Sequence, residues 1–189
     1  MSQRVCPIWI GYLLASPIRK LMQNPRTILA PYVREGMQVL DFGSAMGFFS
    51  IPMAQMVGPA GKVICVDMQE RMLRRLEKRA RKAGVAGRIE TRLCPQNEPD
   101  LKALSGTLDF ALVWYVVHEV PDPAALFAEL FSAIKPSANV LLGEPTGHVN
   151  KEAFAGTLLA AQQQGFSVAD TPRISRTYTA LLKKESSRP

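Results

Sequence analysis

The chain has 189 residues, of which 47% are hydrophobic, and a formal net charge of +7 at pH 7. This length suits one domain with a sizeable core, and this composition excludes a disordered chain. No apolar run reaches the roughly 18 residues that a membrane span requires, so we expect a soluble protein without such a span. The cysteines, Cys6, Cys65 and Cys94, are widely spaced and form no C-x-x-C pair, which indicates reduced thiols in a cytoplasmic protein and no metal site.

An apolar segment lies near the start of the chain, at residues 5–15. It is similar to the apolar core of a signal peptide, but Pro7 and Gly11 interrupt it. Apolar residues also continue at helical spacing past any plausible cleavage site. We therefore expect residues 1–24 to form a helical lid or cover, and residues 25–185 to form the core.

A helix, a strand and a small-residue turn follow in that order. Asn24 before Pro25 is typical of a helix start, and we expect this helix to continue through about Val33. The strand is predicted at residues 37–42 and the turn at residues 43–47, before a helix that has a proline in its first turn. Glycines in such a turn let backbone N–H groups approach a nucleotide-type ligand closely, beside the N-terminus of the next helix.

A second apolar strand, residues 63–66, ends in Asp67 and is followed by a strongly basic helix at about residues 69–83. Apolar residues recur in this helix at helical spacing, which predicts that it packs on a sheet and exposes a solvated basic face. A surface that binds phosphate groups is the alternative interpretation. Seven cations carry the charge of this helix: Arg71, Arg74, Arg75, Lys78, Arg79, Arg81 and Lys82.

The second half of the chain continues the alternation of strands and helices. Only a short turn around Pro172 joins the last two strands, and because it is too short for a parallel crossover, we expect strand seven to run antiparallel. The fold class is therefore α/β, with a Rossmann-like, doubly wound, seven-stranded sheet that is mostly parallel and has an antiparallel strand seven. The remaining strands are predicted at residues 88–93, 108–114, 139–143, 166–169 and 174–182, and the remaining helices begin at Pro123 and span residues 151–164.

Several short motifs occur in a fixed order along this pattern. They are Asp41-Phe42-Gly43-Ser44-Ala45-Met46-Gly47 after strand one, Asp67 after strand two, Val117-His118-Glu119-Val120-Pro121-Asp122 after strand four, and Ile134-Lys135-Pro136 before a strand that ends at Glu144. Together they resemble a class I S-adenosylmethionine-dependent methyltransferase of the ubiquinone/menaquinone-biosynthesis type. The resemblance covers about residues 38–183 and implies one methyltransferase domain over residues 1–189, with S-adenosyl-L-methionine as its cofactor.

The resemblance also implies a set of cofactor-binding residues. Asp67 would accept hydrogen bonds from both ribose hydroxyls, Met68 would pack on the adenine, and the Trp114 backbone would accept from the ligand's amino group. Asp41 would lie nearby, either acting through water or holding the turn. The full set is Asp41, Gly43, Ser44, Ala45, Gly47, Asp67, Met68, Cys94, Pro95 and Trp114.

Two residues depart from the family's pattern. Ala45 stands where the pattern has a glycine, and its methyl group occupies the part of the turn that normally passes closest to the ligand. Cys94 stands where many relatives have an acid beside the adenine. Adenine recognition would then depend on backbone contacts, or on Gln96 or Asn97.

Methyl transfer from a sulfonium is a direct displacement that needs alignment and exclusion of water, and it needs a base only for some acceptors. His118 is the candidate base, with a structural role as the alternative. Tyr115 is a candidate for lining the acceptor pocket, with a place in the core as the alternative. Glu144 would either cap the following turn, which we expect, or bind a cationic acceptor.

We therefore expect an S-adenosylmethionine-dependent methyltransferase whose acceptor is a small or apolar molecule. A basic RNA-directed methyltransferase, or a nucleic-acid-binding module that uses the basic helix, is the alternative. A nicotinamide-dependent dehydrogenase fits less well, because the G-x-G-x-x-G fingerprint is missing and Asp41 is foreign to that motif. A cofactor binder without catalytic activity is a further interpretation that Ala45 leaves open.

Overall fold

The computed structural model describes residues 23–94 and 100–185. Residues 1–22, which make up nearly all of the predicted cover, lie outside the described part, as do Pro95, Gln96 and Asn97 with their predicted adenine contacts. Contacts within the chain divide it into two compact units, residues 1–93 and 94–189, while one domain over the whole chain stays a prediction. No helix in the described ranges is long and apolar enough to cross a bilayer.

The first unit contains three parallel strands that lie in the order β3-β2-β1. These are β1 (Gln38–Phe42), β2 (Lys62–Asp67) and β3 (Ile89–Leu93). The central residues of β1 and β2 are apolar and buried, as expected for parallel strands that are covered on both faces. The helices of this unit are α1 (Pro25–Leu29), α2 (Ser50–Met56) and α3 (Glu70–Lys82).

Helix α1 begins as predicted and ends earlier than predicted. The Asn24 side chain accepts a hydrogen bond of 3.0 Å from the backbone N–H of Arg26, so it caps the first turn. The helix ends at Leu29 and does not continue to Val33. The reason is Pro31, which lacks the N–H group that the next hydrogen bond of the helix would need, although Ala30 itself keeps helical geometry.

Helix α3 confirms the prediction of an amphipathic basic helix. Its four apolar residues are buried, and most of its cations lie on the exposed side. Arg74 forms an ion pair of 2.6 Å with Glu70, one turn earlier in the helix. Arg79 is half-buried and donates a hydrogen bond to the backbone carbonyl of Met46, so this cation holds the helix against the turn after β1.

The second unit contains β4 (Leu108–Trp114), β5 (Ile134–Pro145), β6 (Phe166–Asp170) and β7 (Thr177–Lys184), with α4 (Pro123–Ala133) and α5 (Lys151–Gln163). β4 and β5 are parallel, whereas β7 runs antiparallel to both β5 and β6. The strand order of the seven-stranded sheet is β3-β2-β1-β4-β5-β7-β6. The predicted fold class and the reversed strand seven are therefore confirmed.

Strand β5 is longer than predicted. The segment Lys135-Pro136-Ser137 ends helix α4 as expected, but β5 already begins at Ile134, directly after the helix. Ile134 pairs with Leu108, and the register then shifts, so that Asn139 pairs with Phe110. The extra residues form an irregularity of the kind in which a proline is tolerated within a strand.

Candidate functional site

The turn after β1 is held against β2 by its backbone. The N–H groups of Gly43 and Ser44 both donate to the carbonyl of Val66, at 2.9 and 3.0 Å. Gly43 and Gly47 have φ angles of 78° and 80°, a left-handed conformation that residues with a side chain rarely adopt. Glycine at these two positions is therefore what lets the turn fold back beside the end of the neighbouring strand.

Ala45 adopts the left-handed conformation as well, with a φ angle of 46°. A residue with a side chain loses roughly 1–2 kcal/mol in this region relative to the right-handed one. The Ala45 N–H donates a hydrogen bond of 2.8 Å to Asp67 Oδ2, which stabilises the conformation. The departure from glycine that the sequence shows at this position therefore leaves the turn folded, although under strain.

The Asp67 carboxylate connects this turn to helix α3. Its Oδ2 accepts from Ala45, and its Oδ1 accepts a hydrogen bond of 2.8 Å from the N–H of Gln69, the residue before the helix. Burial raises the pKa of Asp67, and the two backbone hydrogen bonds oppose this rise. Each carboxylate oxygen retains a second lone pair, so Asp67 can accept two further hydrogen bonds.

Two more predicted residues lie at the same turn. The buried Asp41 carboxylate accepts a hydrogen bond of 2.5 Å from Ser50 Oγ, which ties the end of β1 to the first residue of α2. This contact is of the turn-holding kind that the sequence suggested for Asp41. The Ser44 hydroxyl is also buried, and it has no hydrogen-bond partner within residues 23–94 and 100–185. Such an atom is costly unless a further group binds it.

The roles of the other predicted cofactor residues stay predictions. Met68 follows Asp67 and is half-buried. Cys94 is buried after β3, and Trp114 is buried at the end of β4. Gly143 makes room for the Trp114 ring, because a Cβ at residue 143 would lie 2.4 Å from a ring carbon.

Tyr115 follows β4 in a strained conformation, with a φ angle of 62°. Its N–H donates to the carbonyl of Gly143 at 2.8 Å, and its ring stacks on Trp114 with centroids 5.5 Å apart. Its hydroxyl is 2.6 Å from Thr177 Oγ1, so it joins the end of β4 to the start of β7. These contacts favour a positioning role for Tyr115 over a direct role in chemistry.

Glu144 forms a buried pair with His118. Only 1% of the Glu144 side chain is exposed, and its Oε2 lies 2.5 Å from His118 Nδ1. Its Oε1 accepts a hydrogen bond of 2.8 Å from the N–H of Val117, which begins the short helical turn after β4, whereas the sequence predicted that Glu144 would cap the turn after its own strand. A carboxylate with both oxygens engaged and no exposed surface does not suit the alternative role of binding a cationic acceptor.

The environment of His118 favours the protonated imidazole. The hydrogen bond that His118 donates to Glu144 raises the pKa of His118 above its ordinary value, burial opposes the rise, and the negative charges of Glu144 and Glu119 add to it. The other ring nitrogen, Nε2, is 4.0 Å from Glu119 Oε1, and 25% of the side chain is exposed. Because the carboxylate faces Nδ1, Nε2 is the atom that takes up a proton when the ring is neutral, and the raised pKa makes the neutral ring a stronger base.

The sequence indicated His118 and Glu144 as separate candidate residues, but it did not predict that they form a pair. An acid directly after the buried run Val140–Gly143 was the available signal, since a carboxylate is seldom buried unless a partner compensates its charge. Which group compensates it depends on the distance between residues 118 and 144, and the sequence pattern does not give that distance.

A sequence profile of the family described as "Methyltransferase domain" matches residues 33–184. The ubiquinone/menaquinone biosynthesis C-methyltransferase UbiE of Pasteurella multocida (strain Pm70) is 30% identical over 118 residues, which are 62% of this chain and 43% of that protein. The demethylmenaquinone methyltransferase of Lactococcus lactis subsp. lactis (strain IL1403) is 30% identical over 122 residues, 63% of this chain and 47% of that protein. The matched part is thus less than half the length of these relatives.

Solved structures share the fold. A SAM-dependent methyltransferase from Aquifex aeolicus superposes with a TM-score of 0.82 at 24% identity, over 95% of this chain and 98% of that chain. A SAM-dependent O-methyltransferase from Thermotoga maritima superposes with a TM-score of 0.65 at 19% identity, over 100% of this chain and 69% of that chain. At these identities the likeness supports the arrangement of strands and helices.

Replacing Ala45 with glycine is expected to stabilise the protein, since glycine adopts a φ angle of 46° without strain. The expected gain is about 0.5–1 kcal/mol after the extra entropy of the unfolded glycine is subtracted. Thermal unfolding measures this gain, since each kcal/mol of added stability should raise the midpoint temperature by about 2–4 °C. The matched control is Ala128→Gly on the exposed side of α4, which should lose about 1 kcal/mol. A loss of stability in both variants would show that Ala45 is not strained in its left-handed conformation.

Replacing Glu144 with glutamine is expected to change the tautomer of His118. The amide oxygen must accept from the Val117 N–H, so the amide NH₂ group faces Nδ1, which then accepts, and the ring proton moves to Nε2. The pKa of His118 should fall, because the charge and the hydrogen bond that raise it are lost. Nitrogen-15 NMR of the imidazole reads both quantities, and the matched control is Glu119→Gln. An unchanged tautomer and pKa in Glu144→Gln would refute the pairing.

Proposed function

The chain belongs to the methyltransferase-domain family, and we propose that it transfers the methyl group of S-adenosyl-L-methionine to a small acceptor molecule. The supporting observation is the anchored turn after β1, in which Asp67 holds the backbone N–H groups of Ala45 and Gln69 and keeps one lone pair on each oxygen. Members of this family use S-adenosyl-L-methionine, whose ribose carries two neighbouring hydroxyls. Two hydroxyl donors match the two remaining acceptor sites of this carboxylate.

The residues at this turn fit the cofactor. Asp67 would receive the ribose hydroxyls, and its retained lone pairs supply the acceptors. The unpartnered Ser44 hydroxyl gives the turn one more polar group for a ligand. The glycines at 43 and 47 let the backbone lie close to the bound molecule, and Ala45 keeps its N–H engaged with Asp67. When bound, S-adenosyl-L-methionine supplies a methyl group on a sulfonium, which is an electrophile.

The acceptor that we propose is a small ring with an acidic hydroxyl, and a reduced quinone is the leading candidate. The support is twofold. One matched relative is named a ubiquinone/menaquinone biosynthesis C-methyltransferase and another a demethylmenaquinone methyltransferase, and the imidazole of His118 lies against the buried Glu144 carboxylate, as a base would. A ring carbon next to a hydroxyl becomes nucleophilic when the hydroxyl loses its proton. His118 Nε2 would take that proton, and the buried Glu144 carboxylate would stabilise the resulting imidazolium. After methylation the ring carbon loses its hydrogen, so one proton is released overall.

Removing the Asp67 carboxylate is expected to weaken binding of the demethylated product, S-adenosylhomocysteine. Asp67→Ala loses the acceptors for the ribose hydroxyls, and hydrogen bonds to a charged group contribute about 1.5–3 kcal/mol, so affinity should fall by about 10- to 100-fold. Isothermal titration calorimetry measures it, with circular dichroism to check the fold. Asp170→Ala is the matched control, since this acid also ends a strand, is exposed and accepts a hydrogen bond from the N–H of the next residue, Thr171.

A deoxy ligand separates ribose binding from the anchoring of the turn. S-adenosylhomocysteine without one ribose hydroxyl should bind wild type more weakly, but Asp67→Ala should no longer discriminate between the two ligands. If Asp67→Ala loses the same affinity for both ligands, it still discriminates between them as wild type does. Asp67 would then hold the turn without contacting the ribose. Failure of the wild type to bind either ligand below millimolar concentration would overturn the proposed function.

A further inference from the structure

A cavity of about 380 Å³ lies in the second unit, between the segment after β5 and strand β7. His148 and Asn150 form one part of its wall, Ala153 of helix α5 forms another, and Tyr178 of β7 completes it. Its volume suits one or two fused rings and falls at the small end of the range for ligand sites.

The cavity lies next to the Glu144–His118 pair. The rings of His118 and His148 meet edge to face, with centroids 5.9 Å apart and an interplanar angle of 77°. In the antiparallel register of β5 and β7, Glu144 is directly opposite Tyr178. Because side chains of directly opposed residues project from the same face of a sheet, Glu144 and its bound His118 share the face of the cavity wall.

The cavity wall is aromatic and polar and has no carboxylate among its lining residues. The Tyr178 ring stacks on Phe154 of α5, with centroids 5.5 Å apart and an interplanar angle of 26°, so it presents a flat surface supported from behind. Thr146 and Asn150 add hydroxyl and amide groups, and His148 is exposed. A flat aromatic surface favours stacking of a planar ring, and the lack of acids disfavours a cation.

We propose that this cavity is the acceptor subsite of the enzyme, that Tyr178 stacks on the acceptor ring, and that His148 contacts its edge, which makes both residues determinants of specificity. The acceptor is a planar aromatic molecule with an acidic hydroxyl. Its O–H bond breaks, the electron pair stays on oxygen, and the proton forms an N–H bond at His118 Nε2. This inference rests on the proposed function for the identity of the reaction, but binding in the cavity is testable without the cofactor.

Catechol is a suitable probe, because it is planar and has acidic hydroxyls. His118 and His148 are the two histidines of the chain, so protein labelled at histidine gives one set of ring signals for each. Catechol is expected to shift the signals of both residues with the same saturation curve, at a dissociation constant in the range of about 1–10 mM. 1,2-Dimethoxybenzene, which has no acidic hydrogen, should shift His148 without changing the protonation of His118.

Substitutions in the cavity are expected to separate the subsite from other surfaces. Tyr178→Ala should weaken catechol binding by about tenfold or more through loss of the stacking surface. Ala153→Leu fills the cavity with a helix-forming residue and should have the same effect, which covers the case in which Tyr178→Ala fails to fold. Leu159→Ala is the matched control, because this residue is 56% exposed on α5 and does not line the cavity.

The inference is overturned if catechol produces no saturable shift of His148 up to about 20 mM, a concentration well above the expected dissociation constant. It is also overturned if Tyr178→Ala and Ala153→Leu both fold and bind catechol as the wild type does. Calorimetry with S-adenosylhomocysteine on the same sample keeps the two proposals apart. Cofactor binding without a catechol response rejects the subsite alone. A catechol response without cofactor binding leaves a ring-binding cavity, but it overturns methyl transfer and with it the role of the cavity as acceptor subsite.

Discussion

The hydrogen bonds of Asp67 are the interaction on which the turn after β1 depends. A carboxylate at this partly buried position loses hydration, and burial raises its pKa. Two backbone N–H groups, from Ala45 and Gln69, compensate for the lost water and at the same time fix the turn and the start of α3. The same side chain thus stabilises the local fold and presents acceptors for a ligand. Removal of the acid therefore affects both, and only a change in the ligand separates the two effects.

Glu144 is a second carboxylate that loses its hydration on burial, but different groups compensate for the loss. It also lies at the end of a strand, but it is almost fully buried, and both of its oxygens are engaged by Val117 and His118. Only 1% of its side chain is exposed, so its remaining lone pairs are out of reach of a ligand. Its negative charge instead acts on the imidazole of His118, whose side chain is 25% exposed. One strand-end carboxylate therefore keeps acceptor sites beside the turn after β1, and the other positions the imidazole of His118 and favours its protonated form.

The sequence predicted the architecture well because hydrophobic periodicity and turn residues are local signals. Strand β4 has the predicted bounds, and the short connection around Pro172 correctly required a reversed β7. The bounds of α1 and β5 were wrong because a proline altered what the apolar pattern predicted there. Pro31 ended α1 early, and the residues around Pro136 remained within β5 through a shift of register. Both are effects of a proline on its neighbours, which an apolar pattern does not register.

The candidate site was less accessible to sequence reasoning, because its chemistry depends on contacts between distant residues. Asp67 and His118 were identified from motifs, but Asp67 as an anchor and Glu144 as the partner of His118 required distances. Ala45 illustrates the limit. Its identity suggested a weakened cofactor turn, whereas its φ angle of 46° and its N–H bond to Asp67 show that the turn keeps the left-handed geometry of a glycine. The methyl group adds strain without removing the hydrogen bonds, so the substitution argues against a degenerate turn.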